Sequence, residues 1–292
     1  MGKIRAFFMT LGVIFFALIV FTITKVLFLP ETSITGNKIG VVRVEGVISS
    51  SERYIKLLNQ LEKNKSVKAI VLRVNSPGGV VGACQEIHDK VEEITKKKPV
   101  VVSMGSVAAS GGLYISVPAT KIVANPGTIT GSIGVILQTY NVKELADKWG
   151  IKVVTVKSGK FKDLLNPFKE PKKEDLKVLQ ELINDSYMQF VEAVAKGRKL
   201  PIEKVKEIAD GRVFTGRKAK EIGLVDELGN FERAIEIAKE LAKAPDAKVY
   251  EVKPKKTLLQ KLIGEETKET LSTIVRILNG QVKSFNLMYL LN

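Results

Sequence analysis

The sequence predicts an α/β protein: repeated β-α units with parallel strands, a helical C-terminal part, and one N-terminal transmembrane helix. Three observations carry this. Ala6 to Thr24 is an uncharged run of nineteen residues rich in Phe, Leu, Ile and Val. From Gly40 to Val156, short apolar runs alternate with amphipathic stretches, the pattern of parallel strands joined by crossover helices. Beyond Pro171 the period changes to long helical patterns.

Taken in order, the uncharged run continues past Lys25 to Leu29. Its core of about 28 Å, at ~1.5 Å per residue, is enough for a bilayer's hydrocarbon layer. No small-residue cleavage site of the A-x-A kind follows, so an uncleaved anchor is expected rather than a signal peptide. Lys3 and Arg5 precede it, which leaves the N-terminus cytoplasmic and the rest of the chain outside. Residues 30–38 read as a polar linker. Gly40–Ile48 reads as a strand, Tyr54–Asn64 as a helix, Ala69–Val74 as a buried strand and Val81–Lys96 as an amphipathic helix. Strands follow at Val100–Met104, Lys121–Ala124 and Val153–Val156, with a helix opening near Ser110. The long helical patterns are Glu174–Lys196, Ile202–Ala209, Gly216–Ile222 and Asn230–Ala242. Phe285 to Leu291 forms an apolar end that reads as a packing arm, with subunit or membrane contact as the other readings.

Composition narrows the chemistry. One Cys and one His exclude an internal disulfide and any zinc site built from several Cys and His ligands, and leave His88 as the only histidine for a Ser-His-Asp arrangement. Lys+Arg 46 against Asp+Glu 31 gives a net charge of +15. The excess is Lys spread along amphipathic segments among abundant Glu, with no basic-aromatic motif, so a solvated surface is expected and no nucleic acid.

Two Gly-rich turns follow consecutive buried strands: Asn75-Ser-Pro-Gly-Gly79 and Gly105-Ser-Val-Ala-Ala-Ser-Gly-Gly112. In a parallel sheet such turns gather at the C-terminal edge, where sites are built, and glycines let backbone N–H groups reach a substrate oxygen. Spacing alone leaves two readings open for Ser110: a reactive hydroxyl beside helix-start donors, or a helix cap.

These turns, with Thr130-Gly-Ser-Ile-Gly-Val135, Lys157-Ser-Gly-Lys-Phe-Lys-Asp163 and Asp210-Gly-Arg-Val-Phe-Thr-Gly-Arg-Lys-Ala-Lys-Glu-Ile-Gly-Leu-Val-Asp226, stand in the order seen in a known family. Over about residues 39–245 the chain resembles the signal peptide peptidase A (protease IV) family in its short, single-domain, membrane-anchored form. That family lies within the Clp protease/crotonase superfamily. The resemblance implies an anchor over 1–29, a serine peptidase domain over 39–245 and a C-terminal extension over 246–292. Carried over residue by residue, it makes Ser110 the nucleophile and Lys162 the general base. Gly79 and Gly111 match the oxyanion hole, and Ser132 the serine that orients the lysine. It further implies a Ser-Lys endopeptidase that uses neither metal nor ATP and has no cofactor. Its partners would be residual signal peptides and other short apolar peptides, membrane lipid, and further copies in a homo-oligomeric ring. Its place would be the cell membrane as a single-pass protein, with the catalytic domain extracytoplasmic.

Spacing does not select Lys162, because Lys157 and Lys160 are as close in the chain. A lysine base has a definite physical requirement. A free lysine titrates near ~10.4, so useful basicity at neutral pH needs a drop of roughly 3 units, which burial in apolar surroundings can supply. Phe161, Leu164 and Leu165 would form such a niche. His88 reads as a solvent-facing residue of an amphipathic helix and Cys84 as core. Asp210–Asp226 matches no nucleotide motif and reads as a turn followed by a packing helix. Two other classes share parts of the pattern. A crotonase-like acyl-CoA enzyme would share the oxyanion glycines without needing the anchor or the lysine, and a non-catalytic scaffold would have lost Ser110 or Lys162.

Overall fold

In the computed structural model the described residues are 36–252 and 288–290, with 9, 12–17 and 21. The chain divides into two units, Met1–Gly36 and Asn37–Asn292. In the first, residues 12–17 are helical and expose Val13, Ile14, Phe15 and Phe16. Among the described residues no helix is long and apolar enough to cross a membrane. Most of the expected span over 1–29 lies outside the described residues.

The second unit is built on an eight-stranded sheet. Strands β1 (Lys38–Glu45), β2 (Val67–Ser76) and β4 (Val100–Ala109) form its centre in the order β4-β2-β1, all parallel. Alternate residues feed two separate cores. Ile39, Val41, Ala69, Val71 and Val101 pack under helix α8 (Phe231–Leu241) with Ala234, Ile237 and Ala238. Val42, Val44, Ile70, Leu72, Val74, Val100, Val102 and Met104 face the other way. There they meet α1 (Glu52–Lys63), α2 (Val81–Thr95) and α5 (Lys173–Arg198). Burial on both faces explains why these strands read as continuous apolar runs rather than alternating ones.

Strand β4 has a different neighbour along each half of its outer edge. Val101–Met104 pairs with β5 (Lys121–Ala124), and Val107–Ala109 pairs with β6 (Ile129–Gly131), both parallel. The second half leads directly into the turn at Ser110. Short strands β7 (Val213–Thr215), β8 (Glu227–Leu228) and β9 (Lys248–Glu251) complete the sheet. A separate two-stranded ribbon joins β3 (Gly78–Val80) antiparallel to β10 (Met288–Leu290). Of the apolar chain end, Tyr289 is fully buried.

Two expectations need correcting. Val153–Val156 is not a strand: residues 151–157 form neither helix nor ladder, with Val154 and Val156 87% and 95% exposed. Their β-branched composition favours extended backbone, but no neighbouring strand in the described chain offers them an edge. His88 is not solvent-facing. It lies one turn from Cys84 and Val91 on the buried stripe of α2, and Tyr114 covers it with ring centroids 4.9 Å apart.

Candidate active site

Three chain segments converge at the C-terminal ends of β2, β4 and β6. The register Ala109↔Gly131 makes Ser110 and Ser132 the next opposing pair, and both leave their strands at positive φ, 52° and 51°. Ser110 at ψ −117° occupies a sparsely populated region that a non-glycine residue adopts only when its surroundings fix it. They do so here: its N–H donates to the Gly131 carbonyl at 2.8 Å, and its carbonyl accepts from Tyr114 N–H at 2.8 Å. Ser132 N–H is likewise held by the Arg212 carbonyl at 2.8 Å.

The Ser110 side chain distinguishes the two readings that spacing left open. Ser110 stands at the N-cap position of α3 (Gly111–Tyr114), yet its hydroxyl makes no capping bond. The Oγ is buried and has no hydrogen-bond partner among the described residues. A buried hydroxyl left unpaired costs roughly 1–3 kcal/mol, which structural serines avoid and reactive ones tolerate.

Around it the glycines bring backbone together. A Cβ on Gly111 would stand 2.6 Å from Cys84 Sγ and 3.0 Å from Gly79 N, so the Gly79 N–H and the first turn of α3 are adjacent only because position 111 has no side chain. Gly78 turns the chain at φ +113°, and a Cβ there would strike the Tyr289 carbonyl and approach Gly111 N at 2.8 Å. As the first residue of a helix, Gly111 has an N–H without an intrahelical acceptor. The backbone of Gly79 thus lies against the start of the helix that follows Ser110, an arrangement from which an acyl-transfer site can be built.

The lysines lie elsewhere on the chain surface. Lys157, Lys160 and Lys162 are exposed in the turn-rich segment 157–165. Lys157 Nζ pairs with Asp163 Oδ1 at 2.5 Å and donates to the Lys160 carbonyl, and Lys160 pairs with Glu174 at 2.9 Å. Lys169 holds Asp163 and Asp175 at 3.1 and 3.2 Å. The Lys157 bond, aided by Lys169, keeps the Asp163 carboxyl below the usual carboxylate range. Lys162 Nζ has no ion pair or hydrogen bond among the described residues and is not within hydrogen-bond reach of Ser110 Oγ. The expected apolar niche does not form within one chain, since Phe161 is exposed and Leu164 and Leu165 are half-buried.

Sequence reasoning missed the aromatic group beside the serine. Tyr114, Phe190 and Tyr289 meet with centroids 4.7 to 5.0 Å apart. Tyr114, four residues after the candidate nucleophile, was the available signal. Cys84 is core as expected, and burial pushes its thiol up to about 12. His88 contacts Asp89 and Tyr114. Asp210–Asp226 is structural: Gly223 turns the chain at φ +85°, and Asp226 Oδ2 accepts from Ile122 N–H at 2.7 Å.

A parallel sheet whose strand ends carry Gly-rich turns and a buried serine unpartnered among the described residues fits a serine hydrolase on a Clp-protease-like scaffold. Residues 41–128 match the Clp protease model, and residues 92–245 match the model of peptidase family S49. A Synechocystis chain provisionally named a protease is 44% identical over 82% of this chain and 87% of its own length. A Methanocaldococcus jannaschii chain, also provisionally named a protease, is 46% identical over 68% of this chain and 64% of its own. An Enterococcus faecium chain provisionally named signal peptide peptidase SppA is 38% identical over 76% of this chain and 69% of its own. The chain belongs to peptidase family S49 and is a serine protease.

Proposed function

We propose that Ser110 and Lys162 form the catalytic dyad of a membrane-anchored endopeptidase acting on short apolar peptides, residual signal peptides among them, outside the cytoplasmic membrane. The observation that carries this is the buried, unpartnered Ser110 Oγ held at positive φ beside Gly79 and Gly111. Its hydroxyl attacks the scissile carbonyl while Lys162 accepts the proton, and the N–H groups of Gly79 and Gly111 receive the oxyanion. The C–N bond then breaks as Lys162 passes its proton to the leaving amine. Water, deprotonated by the same lysine, attacks the acyl-enzyme and releases Ser110. Ser132, beside Ser110 in the sheet register, orients the lysine. The uncharged run from Ala6 to Thr24 behind Lys3 and Arg5 supports the anchor and its orientation.

The lysine is supplied by a neighbouring copy in a ring. Two features support this: among the described residues Lys162 is unpaired and exposed while Ser110 Oγ lacks a partner, and the segment that carries the lysine exposes several large apolar side chains. Tyr140, Trp149, Val154 and Val156 are all more than three quarters exposed on it, a concentration that marks protein contact surfaces. Docking would also desolvate the lysine, as a base requires.

Complementation tests the reading. Ser110→Ala and Lys162→Ala proteins should each fail to cleave a fluorogenic apolar peptide, and mixing them under subunit exchange should restore about a quarter of parent activity by random pairing in a closed ring. Activity in the Lys162→Ala protein alone would remove the lysine from the mechanism. A mixture that stays silent would place the dyad within one chain.

A further inference from the structure

At the end of the parallel strands away from Ser110, a cavity of about 530 Å³ opens where two long helices stop. Its lining includes Lys121, the first residue of β5, and Thr95, the last residue of α2 before the chain enters β4, whereas Ser110 follows a strand end. Helix α5 brings its last turn to the same place. Gly197 permits that approach, since a Cβ on it would strike the Val117 carbonyl. Pro118 and Thr120 line the cavity from the loop before β5, and the side chains of His88 and Arg198, 9% and 8% exposed, are buried parts of the lining.

Lys96, Lys121, Lys196, Arg198 and Lys199 share this lining with two carboxylates, Glu92 and Asp226, a net of three positive charges with His88 neutral. Glu92 pairs with Lys196, and Asp226 pairs with Arg198 at 3.0 Å and Lys121 at 3.7 Å. Lys96 and Lys199 have no carboxylate partner among the described residues. Helix C-termini attract cations, and two helices end here, α2 at Thr95 and α5 at Arg198. Each end carries about half a negative charge, so together they offset one of the three and an excess of about two remains. Nor do the helix ends need lysine side chains as caps. The Ile94 carbonyl already accepts from Lys97 and Lys98 N–H at 2.8 Å, and the Ala195 carbonyl accepts from Leu200 N–H at 3.0 Å. Lys199 sits at φ 54°, where glycine is the ordinary residue, so a long cation stands at a position whose backbone favours no side chain.

We propose that this cavity binds a phosphate-bearing anion, as a second ligand site separate from the peptidase corner. A lone carboxylate would leave part of the excess charge unmet, whereas a phosphate monoester or diphosphate carries roughly two charges or more and several strong acceptor oxygens. Lysine ammonium groups suit such a ligand, being compact charges on flexible stems that adjust to its oxygens. Lys96 and Lys199 hold the oxygens, and the buried Arg198 beside Asp226 fixes the wall against which the ligand lies. The volume falls in the range of small-molecule sites, which leaves room for an organic group beyond the phosphate. A soluble phosphate ester and a phospholipid headgroup present the same chemistry to these lysines.

The test uses the full chain in micelles of an uncharged detergent at fixed pH. His88 is the only histidine and lies in the lining, so its ring Hε1 gives a single NMR signal from the cavity itself. Inorganic pyrophosphate should move that signal along a saturable curve, and sodium chloride at matched ionic strength should not. The double variant Lys96→Gln, Lys199→Asn changes two exposed side chains, and Asn tolerates the positive φ. It should weaken pyrophosphate binding about tenfold. Lys143→Gln, which removes one exposed charge outside the cavity, should leave binding within about twofold. Doping the micelles with phosphatidylglycerol identifies the source of the phosphate. A shift caused by the lipid that pyrophosphate cannot extend assigns a headgroup, and a shift caused by pyrophosphate alone assigns a soluble ligand. A signal unmoved by both probes, or a titration equal in the parent and the double variant, would overturn the proposal. Binding is read without turnover, so the result stands apart from the dyad assignment.

Discussion

Lys157 and Asp163 form an ion pair at 2.5 Å, and this pair separates three lysines that the sequence leaves equivalent. A carboxylate partner holds a lysine side chain in place and occupies its N–H donors. Lys157 has Asp163 and Lys160 has Glu174, whereas Lys162 has neither. Among the described residues, the one of the three without a carboxylate partner is also the one that family resemblance selects.

The lysine series should therefore split. Lys162→Ala should lose about 10²–10⁴ in kcat, the range expected for a positioned general base. Lys157→Ala and Lys160→Ala should stay within a few fold, with any loss appearing in the thermal stability of the 157–175 segment. Steady-state kinetics on one apolar peptide checks all three. A Lys157→Ala loss as deep as that of Lys162→Ala would contradict the ion-pair argument.

The central architecture was legible in the sequence because its signals are local. Doubly buried strands read as apolar runs, Gly-rich turns mark the strand ends, and the amphipathic stripe of α2 is periodic. What was not legible depends on contacts distant in the chain. The three-residue strands β3 and β10 are too short to carry a periodic signal and exist only because positions more than two hundred apart pair. His88 looked exposed by adjacency to Asp89, but Tyr114, brought over it by the turn at Ser110, decides its burial. Val153–Val156 has strand composition without a partner. Of the candidate site, the Gly-rich turns around Ser110 were readable, while the absence of an ion pair at Lys162 among the described residues required seeing where Asp163 and Glu174 lie.

Gly111→Ala should be costly for two separable reasons. Its Cβ would stand 2.6 Å from Cys84 Sγ, an overpacking of a kind that costs roughly 1–3 kcal/mol. The same Cβ would stand 3.0 Å from Gly79 N and push the helix start away from it, with a loss of about 10²–10³ in kcat if an oxyanion donor is displaced. The double variant Gly111→Ala, Cys84→Ala should regain part of the melting temperature and little of the rate. Recovery of both would mean that the corner acts only through packing.

His88→Gln should leave kcat/KM of the folded enzyme unchanged while lowering stability by about 0.5–1.5 kcal/mol, the worth of an aromatic pair with Tyr114. Urea titration beside a peptide assay separates the two effects. A rate loss beyond about tenfold would return the histidine to the mechanism.

Stability should fall at alkaline pH through groups packed against the site. Burial pushes Cys84 and Tyr114 each up to about 12, and it raises Tyr289 as well. In the unfolded chain the thiol and phenols ionise near their ordinary values of about 9 to 10. The folded form keeps these protons where the unfolded form has lost them, so the stabilisation is complete below about pH 9 and declines as pH rises toward 12. Urea midpoints from pH 8 to pH 11 should drop steadily, and Cys84→Ala should flatten part of that slope. At pH 8 a thiol held near 12 is thiolate in only about one molecule in 10⁴, so iodoacetamide should leave Cys84 unmodified in the native protein and alkylate it promptly in urea. Rapid alkylation of the native chain would show that the space behind Gly111 opens to solvent, and with it the corner that Gly79 and Gly111 share.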